Sequence, residues 1–119
     1  MKIKTAEATG LQLDWGLAKV MGAKRIIVNW RGVWVEDEGF KVGDDCRGWV
    51  CHTDPAVCMG LIEQYKPDVV YRAEEWGVEF PHNNNRFWSP CLARAVARCV
   101  ISMKLGDEFE VPDELGVQS

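Results

Sequence analysis

Residues 25–36 read Arg25-Ile26-Ile27-Val28-Asn29-Trp30-Arg31-Gly32-Val33-Trp34-Val35-Glu36. Two runs of β-branched and aromatic residues flank a glycine, the composition of strands on a half-buried sheet. The pattern predicts a strand over 25–30, a turn at Arg31-Gly32 and a return strand over 33–36. Asp37-Glu38-Gly39 closes the pair. A hairpin commits this part of the chain to antiparallel pairing, and short connections keep neighbouring elements adjacent.

Downstream, the polar loop Gly43-Asp44-Asp45-Cys46-Arg47-Gly48 leads to a short strand over Trp49-Val50-Cys51-His52. Asp54-Pro55 marks a helix start, because Asp caps and Pro needs no N–H at the first helical position. That helix runs to about Tyr65, and Pro67 stops it. Val69-Val70-Tyr71 and Gly77-Val78-Glu79-Phe80 have strand composition. The last helix has the strongest periodicity: Leu92, Val96, Cys99, Val100 and Met103 recur after Ser89-Pro90, Arg94, Arg98 and Ser102 fall on another face, and Gly106 ends the run.

Upstream, Thr9 and Gln12 have capping-box spacing, and Gly22 is the stop. On the helix between them Leu13, Leu17, Val20 and Met21 share one face, while Leu11, Trp15 and Ala18 form a second apolar stripe. Gln12, Gly16 and Lys19 mark the polar arc, and Asp14 falls between the two stripes. The acidic tail from about 107 adds an edge strand before Pro112. The order α-β-β-(β)-α-β-β-α-tail predicts an α+β fold: a single domain over 1–119, with a small antiparallel sheet and N-terminal, middle and C-terminal helices packed on it.

Apolar residues make up 47% and charged residues 27% of the 119, ordinary globular usage. A net charge of −4 argues against non-specific nucleic-acid binding, which needs lysine and arginine concentrated on one face. No run approaches the length of a membrane span, and Met1-Lys2-Ile3-Lys4-Thr5 has no apolar segment after it. The five cysteines form no regular framework and read as reduced thiols in a cytosol, with Cys91 and Cys99 packing as small apolar groups. Six tryptophans in so short a chain place some at a rim or an interface.

The two ends carry a resemblance. Met-Lys-Ile-Lys-Thr-Ala-Glu at the start, Thr9-Gly10, Leu13-Asp14-Trp15 and Ala18-Lys19 are joined near the other end by Ser89-Pro90, Ala95 and Arg98-Cys99-Val100. Ser102-Met103-Lys104-Leu105-Gly106-Asp107-Glu108 and Glu110-Val111-Pro112 follow. In this order the residues resemble the NinX-like family of small lambdoid phage proteins. The middle departs: Thr53-Asp54 and Leu61-Ile62-Glu63 fit, but Pro55 stands where the family often has Trp. The resemblance implies a phage or prophage origin and expression in the host cytoplasm. It implies no particular activity, because the family is named for the position of its genes.

Asp14 is the first candidate residue, since a carboxylate between apolar stripes needs a hydrogen-bond or charge partner. It reads either as a ligand contact or as a structural acceptor from a loop N–H or an Arg. Cys46, Cys51, His52 and Cys58 lack the paired spacing of a zinc site, so no metal or cofactor is expected. A Cys-His nucleophile from Cys51 or Cys58 with His52 or His82 rests on residue type alone. There is no phosphate loop and no serine elbow. Asp44-Asp45 and Glu74-Glu75 read as solvated turns rather than acid–base pairs.

Arginine beside aromatics recurs: Trp30, Arg31 and Trp34; Arg47 and Trp49; Arg72 and Trp76; Arg86, Phe87 and Trp88. Such groups either stack and clamp a planar anion or form an interface with a charged rim. The candidate ligand-binding set is therefore Asp14, Trp30, Arg31, Trp34, Arg47, Trp49, Asp54, Arg86 and Trp88, with no catalytic residue. Three functions follow as expectations. The first is a non-enzymatic protein-binding module, homo-oligomeric, contacting a host protein through an apolar patch with some of Trp30, Trp34, Trp76 and Trp88. The second sequesters a small nucleotide-like signal and needs the arginines and tryptophans in one cleft. The third is a small metal-dependent hydrolase and needs at least two of Asp14, Asp44, Asp45, Asp54, Glu74 and Glu75 around one ion.

Overall fold

The computed structural model describes residues 1–30, 32–37, 49–80 and 83–115. The 43–48 loop, with Asp44, Asp45, Cys46 and Arg47, and also Arg31, Glu38, Gly39 and His82, lies outside them. The fold is α+β. In chain order the elements are β1 (Lys2–Lys4), α1 (Leu11–Val20), β2 (Ile26–Asn29), β3 (Gly32–Val35), β4 (Trp49–Val50) and α2 (Pro55–Tyr65). Then come β5 (Asp68–Arg72), β6 (Glu75–Phe80), β7 (Asn83–Ser89), α3 (Leu92–Leu105) and β8 (Glu108–Glu110). Single 3-10 turns cover Thr5–Glu7 and Asp113–Leu115.

Among the described residues the strands form three antiparallel sheets rather than one: β1-β8, β2-β3-β4 and β5-β6-β7. α1 packs on the first three-stranded sheet and on α3, while α3 covers the inner face of the second and carries α2. Leu13, Leu17, Val33, Val50, Val78, Val96, Val100, Ile101 and Leu115 are buried in one core cluster.

Sequence logic explains most ends. Asp54 caps α2 by accepting from the Ala56 N–H at 2.9 Å, and Lys66 ends that helix in the left-handed region. Gly106 ends α3. The start of α1 differs from expectation: Gly10 is the N-cap, and only half of the box forms, Gln12 Oε1 accepting from the Thr9 N–H at 3.2 Å. The expected polar arc of α1 is also corrected, because Gln12 and Gly16 are buried. Gln12 donates to the Leu115 carbonyl at 2.7 Å, and a Cβ on Gly16 would stand 2.7 Å from the Ile101 side chain. Gly16 is thus where α1 and α3 touch. The first hairpin differs from expectation: Asn29 pairs with Gly32, so Gly32 belongs to β3 rather than to the turn. α3 begins at Leu92 rather than directly after Ser89-Pro90, and Ser89 Oγ accepts from the Cys91 N–H at 3.1 Å.

Two strands are absent from the sequence reading. β1 pairs with β8 in the register Lys2↔Glu110, Ile3↔Phe109, Lys4↔Glu108. Opposite charges therefore face each other on both sides of an apolar pair, an arrangement favoured across strands. β7 opens with the asparagine run Asn83-Asn84-Asn85, and asparagine is depleted in strands.

Candidate functional site

The first three-stranded sheet has two unlike faces, because side chains alternate across a strand. Val28, Val33 and Val50 are in register and turn inward beneath α1. Ile27, Trp34 and Trp49 are in register on the other side. Trp34 and Trp49 lie with ring centroids 6.4 Å apart. Ile27 is 38% and Trp49 37% exposed, and at the hairpin tip Trp30 is 86% exposed. Arg25 and Glu36, both exposed, stand at the far end of the hairpin, so an apolar centre meets a charged rim. Asp37 fixes that end. Its carboxylate accepts from the Lys24 and Arg25 N–H groups at 2.8 and 2.7 Å, and these bonds hold its pKa below the ordinary carboxylate value.

The other tryptophans lie elsewhere. Trp76 contacts Tyr71 at 4.8 Å and lies on the same face of the second sheet as Val78 and Phe87. Trp88, opposite Gly77, is on the outward face, where a Cβ on Gly77 would meet its ring within 3.0 Å. Arg86 is ion-paired with Glu79, and its guanidinium lies 5.7 Å from the Trp88 ring centre. The tryptophans of these groups thus divide between two sheets. Arg86 also lines a cavity of about 540 Å³ with Lys4, Thr5, Ala6, Phe87, Asp107 and Glu108, which takes in none of Trp30, Trp34 and Trp49. Arg31 and Arg47 lie outside the described residues.

Asp14 is buried, and its Oδ1 accepts from both the backbone N–H and the ring Nδ1 of His52, each at 2.7 Å. This links the middle of α1 to the segment just after β4. The shared bond between the carboxylate and Nδ1 fixes the orientation of the imidazole ring. Nε2 is buried without a hydrogen-bond partner among the described residues. The partner of Asp14 is thus a histidine and a loop N–H; the sequence signal for it was the odd place of Asp14 on its helix.

Burial pushes the Cys99 thiol up to about 12 and raises that of Cys58, which keeps both protonated and poor as nucleophiles. Cys51 Sγ lies 3.1 Å from Thr53 Oγ1. Among the described residues no group of three or more His, Cys, Asp or Glu side chains could hold a metal ion. No described helix is long and apolar enough to cross a membrane. No family model matches the chain, and no curated protein matches it.

Proposed function

We propose that this chain is a phage or prophage accessory protein that binds a host protein in the bacterial cytoplasm through the aromatic face of β2-β3-β4. The observation that carries this reading is the in-register row Ile27, Trp34 and Trp49 beside the 86% exposed Trp30. Tryptophan at the centre of a patch with a charged rim is the composition of a protein-binding hot spot. The resemblance of the chain's two ends to NinX-like proteins supports the origin, and those ends meet as β1 and β8.

The nucleotide-like ligand has less support. In the cavity at Arg86, the cations Lys4 and Arg86 are offset by Asp107 and Glu108, and Arg86 already holds Glu79. An anion entering there would have to displace a carboxylate.

The test is purification of the tagged chain from bacterial host cells, followed by native mass spectrometry, for the wild type and for Trp30→Ser/Trp49→Ser. The proposal expects a stoichiometric host partner with the wild type that is lost from a folded double variant. An unchanged set of complexes in the double variant would overturn it.

A further inference from the structure

The edge of the second sheet carries a self-complementary strand. β5 reads Asp68-Val69-Val70-Tyr71-Arg72 and, among the described residues, is paired on one side only, with β6. Asp68, Tyr71 and Arg72 are exposed. We propose that β5 pairs antiparallel with β5 of a second copy of this chain, about a two-fold axis at Val70.

Two independent features select that register. The first is backbone phase. Ala73 and Glu74, at φ 52° and 65°, form a two-residue hairpin turn with Arg72 opposite Glu75. Such a turn makes Arg72–Glu75 a hydrogen-bonded pair, and alternation gives the same inward bonding to Val70 and Asp68. Val69 and Tyr71 then aim their N–H and C=O groups at the free edge. Pairing about Val70 sets Val69 opposite Tyr71 of the second copy, and both pairs exchange N–H···O bonds. A shift by one outward-facing residue toward Val69 would oppose Tyr71 to Pro67, which has no N–H to give.

The second feature is charge. Pairing about Val70 sets Asp68 opposite Arg72 of the second copy, and Arg72 opposite its Asp68. The strand thus places opposite charges at both ends of one register, and Val70 meets its own copy between them. Within β5 no proline or inward charge blunts the edge, devices that edge strands commonly carry. The Tyr71–Trp76 contact adjoins the axis and would gain Val69 of the second copy as a neighbour.

The test is sedimentation equilibrium of the intact chain over a range of concentrations, for the wild type, Asp68→Arg, Arg72→Asp and the doubly swapped chain. Each single change places like charges opposite each other, so the dissociation constant of the dimer should rise about tenfold or more. The double swap restores opposition and should return it to within about threefold of wild type. A wild-type chain that stays monomeric at every concentration overturns the proposal. So does a dimer indifferent to these changes, including one lost only on Trp49→Ser, which would place self-association on the aromatic face. Should a variant fail to fold, hydrogen exchange of the wild type decides. Val69 and Tyr71 amides should gain protection as concentration rises, and concentration-independent exchange there overturns the proposal.

Discussion

On the outward face of β5-β6-β7, Trp88 lies over Gly77 of its own sheet, with Val70 on Gly77's other side, and charged residues frame them: Asp68 and Arg72 on β5, Glu75 and Glu79 on β6, Arg86 on β7. On the outward face of β2-β3-β4 the corresponding row is Ile27, Trp34 and Trp49, with Trp30 at the tip. Trp88 and Trp49 have nearly equal exposure, 38% and 37%, so exposure does not separate the two faces. Their neighbours do. A lone tryptophan over a glycine within a charged frame protects the sheet's backbone. Adjacent apolar side chains with charge only at the rim leave a surface that gains by being covered.

The largest way to break this contrast is to detach the first sheet from its support. Asp14→Leu removes the acceptor for two buried donors on His52 and should cost about 3 kcal/mol of unfolding free energy, read by urea denaturation. Next is Gly77→Val, which forces the Trp88 ring away and should cost about 1–3 kcal/mol while leaving partner binding intact. By contrast Trp30→Ser should change stability by no more than about 0.5 kcal/mol, because the side chain is 86% exposed, and should weaken partner capture. If Trp30→Ser destabilised the fold as much as Gly77→Val, the contrast between the faces would fail.

A stabilising change sharpens the same comparison. Ala73 and Glu74 occupy the left-handed region, which favours Gly and Asn. Ala73→Asn with Glu74→Gly should raise stability by about 1 kcal/mol in thermal melts. The smallest effect is electrostatic and confined to the first sheet. Asp37 has a lowered pKa when folded, so its contribution is present above the ordinary value of 3.8 and is lost as pH falls through the folded value. Asp37→Asn should flatten that part of the acid leg, measured as stability against pH below about 5.

Local chemistry made much of this fold legible. Asp54-Pro55 and Gly106 set helix ends through capping and backbone freedom, and the β-branched runs at 26–29 and 33–35 set the first hairpin. What stayed hidden depends on contacts distant in sequence. Gly16 looked like a polar-arc residue because its role, admitting Ile101, is visible only once α3 is in place. β1 stays hidden although Lys2-Ile3-Lys4 and Glu108-Phe109-Glu110 are complementary, because nothing local brings residues far apart in the chain together. Of the candidate site, Trp30, Trp34 and Trp49 lie on one sheet, Arg86 and Trp88 on another, and Asp54 serves as a helix cap. By residue type His52 reads as a metal ligand or a base, and its pairing with Asp14 requires the fold that sets β4 beside α1.

The most direct test of the contrast between the faces is site-specific photo-crosslinking in host cells, with the reactive residue placed in turn at Trp30 and at Trp88. The account predicts one discrete adduct with a host protein from position 30 and none from position 88. An adduct from position 88 alone, or none from either, would contradict it.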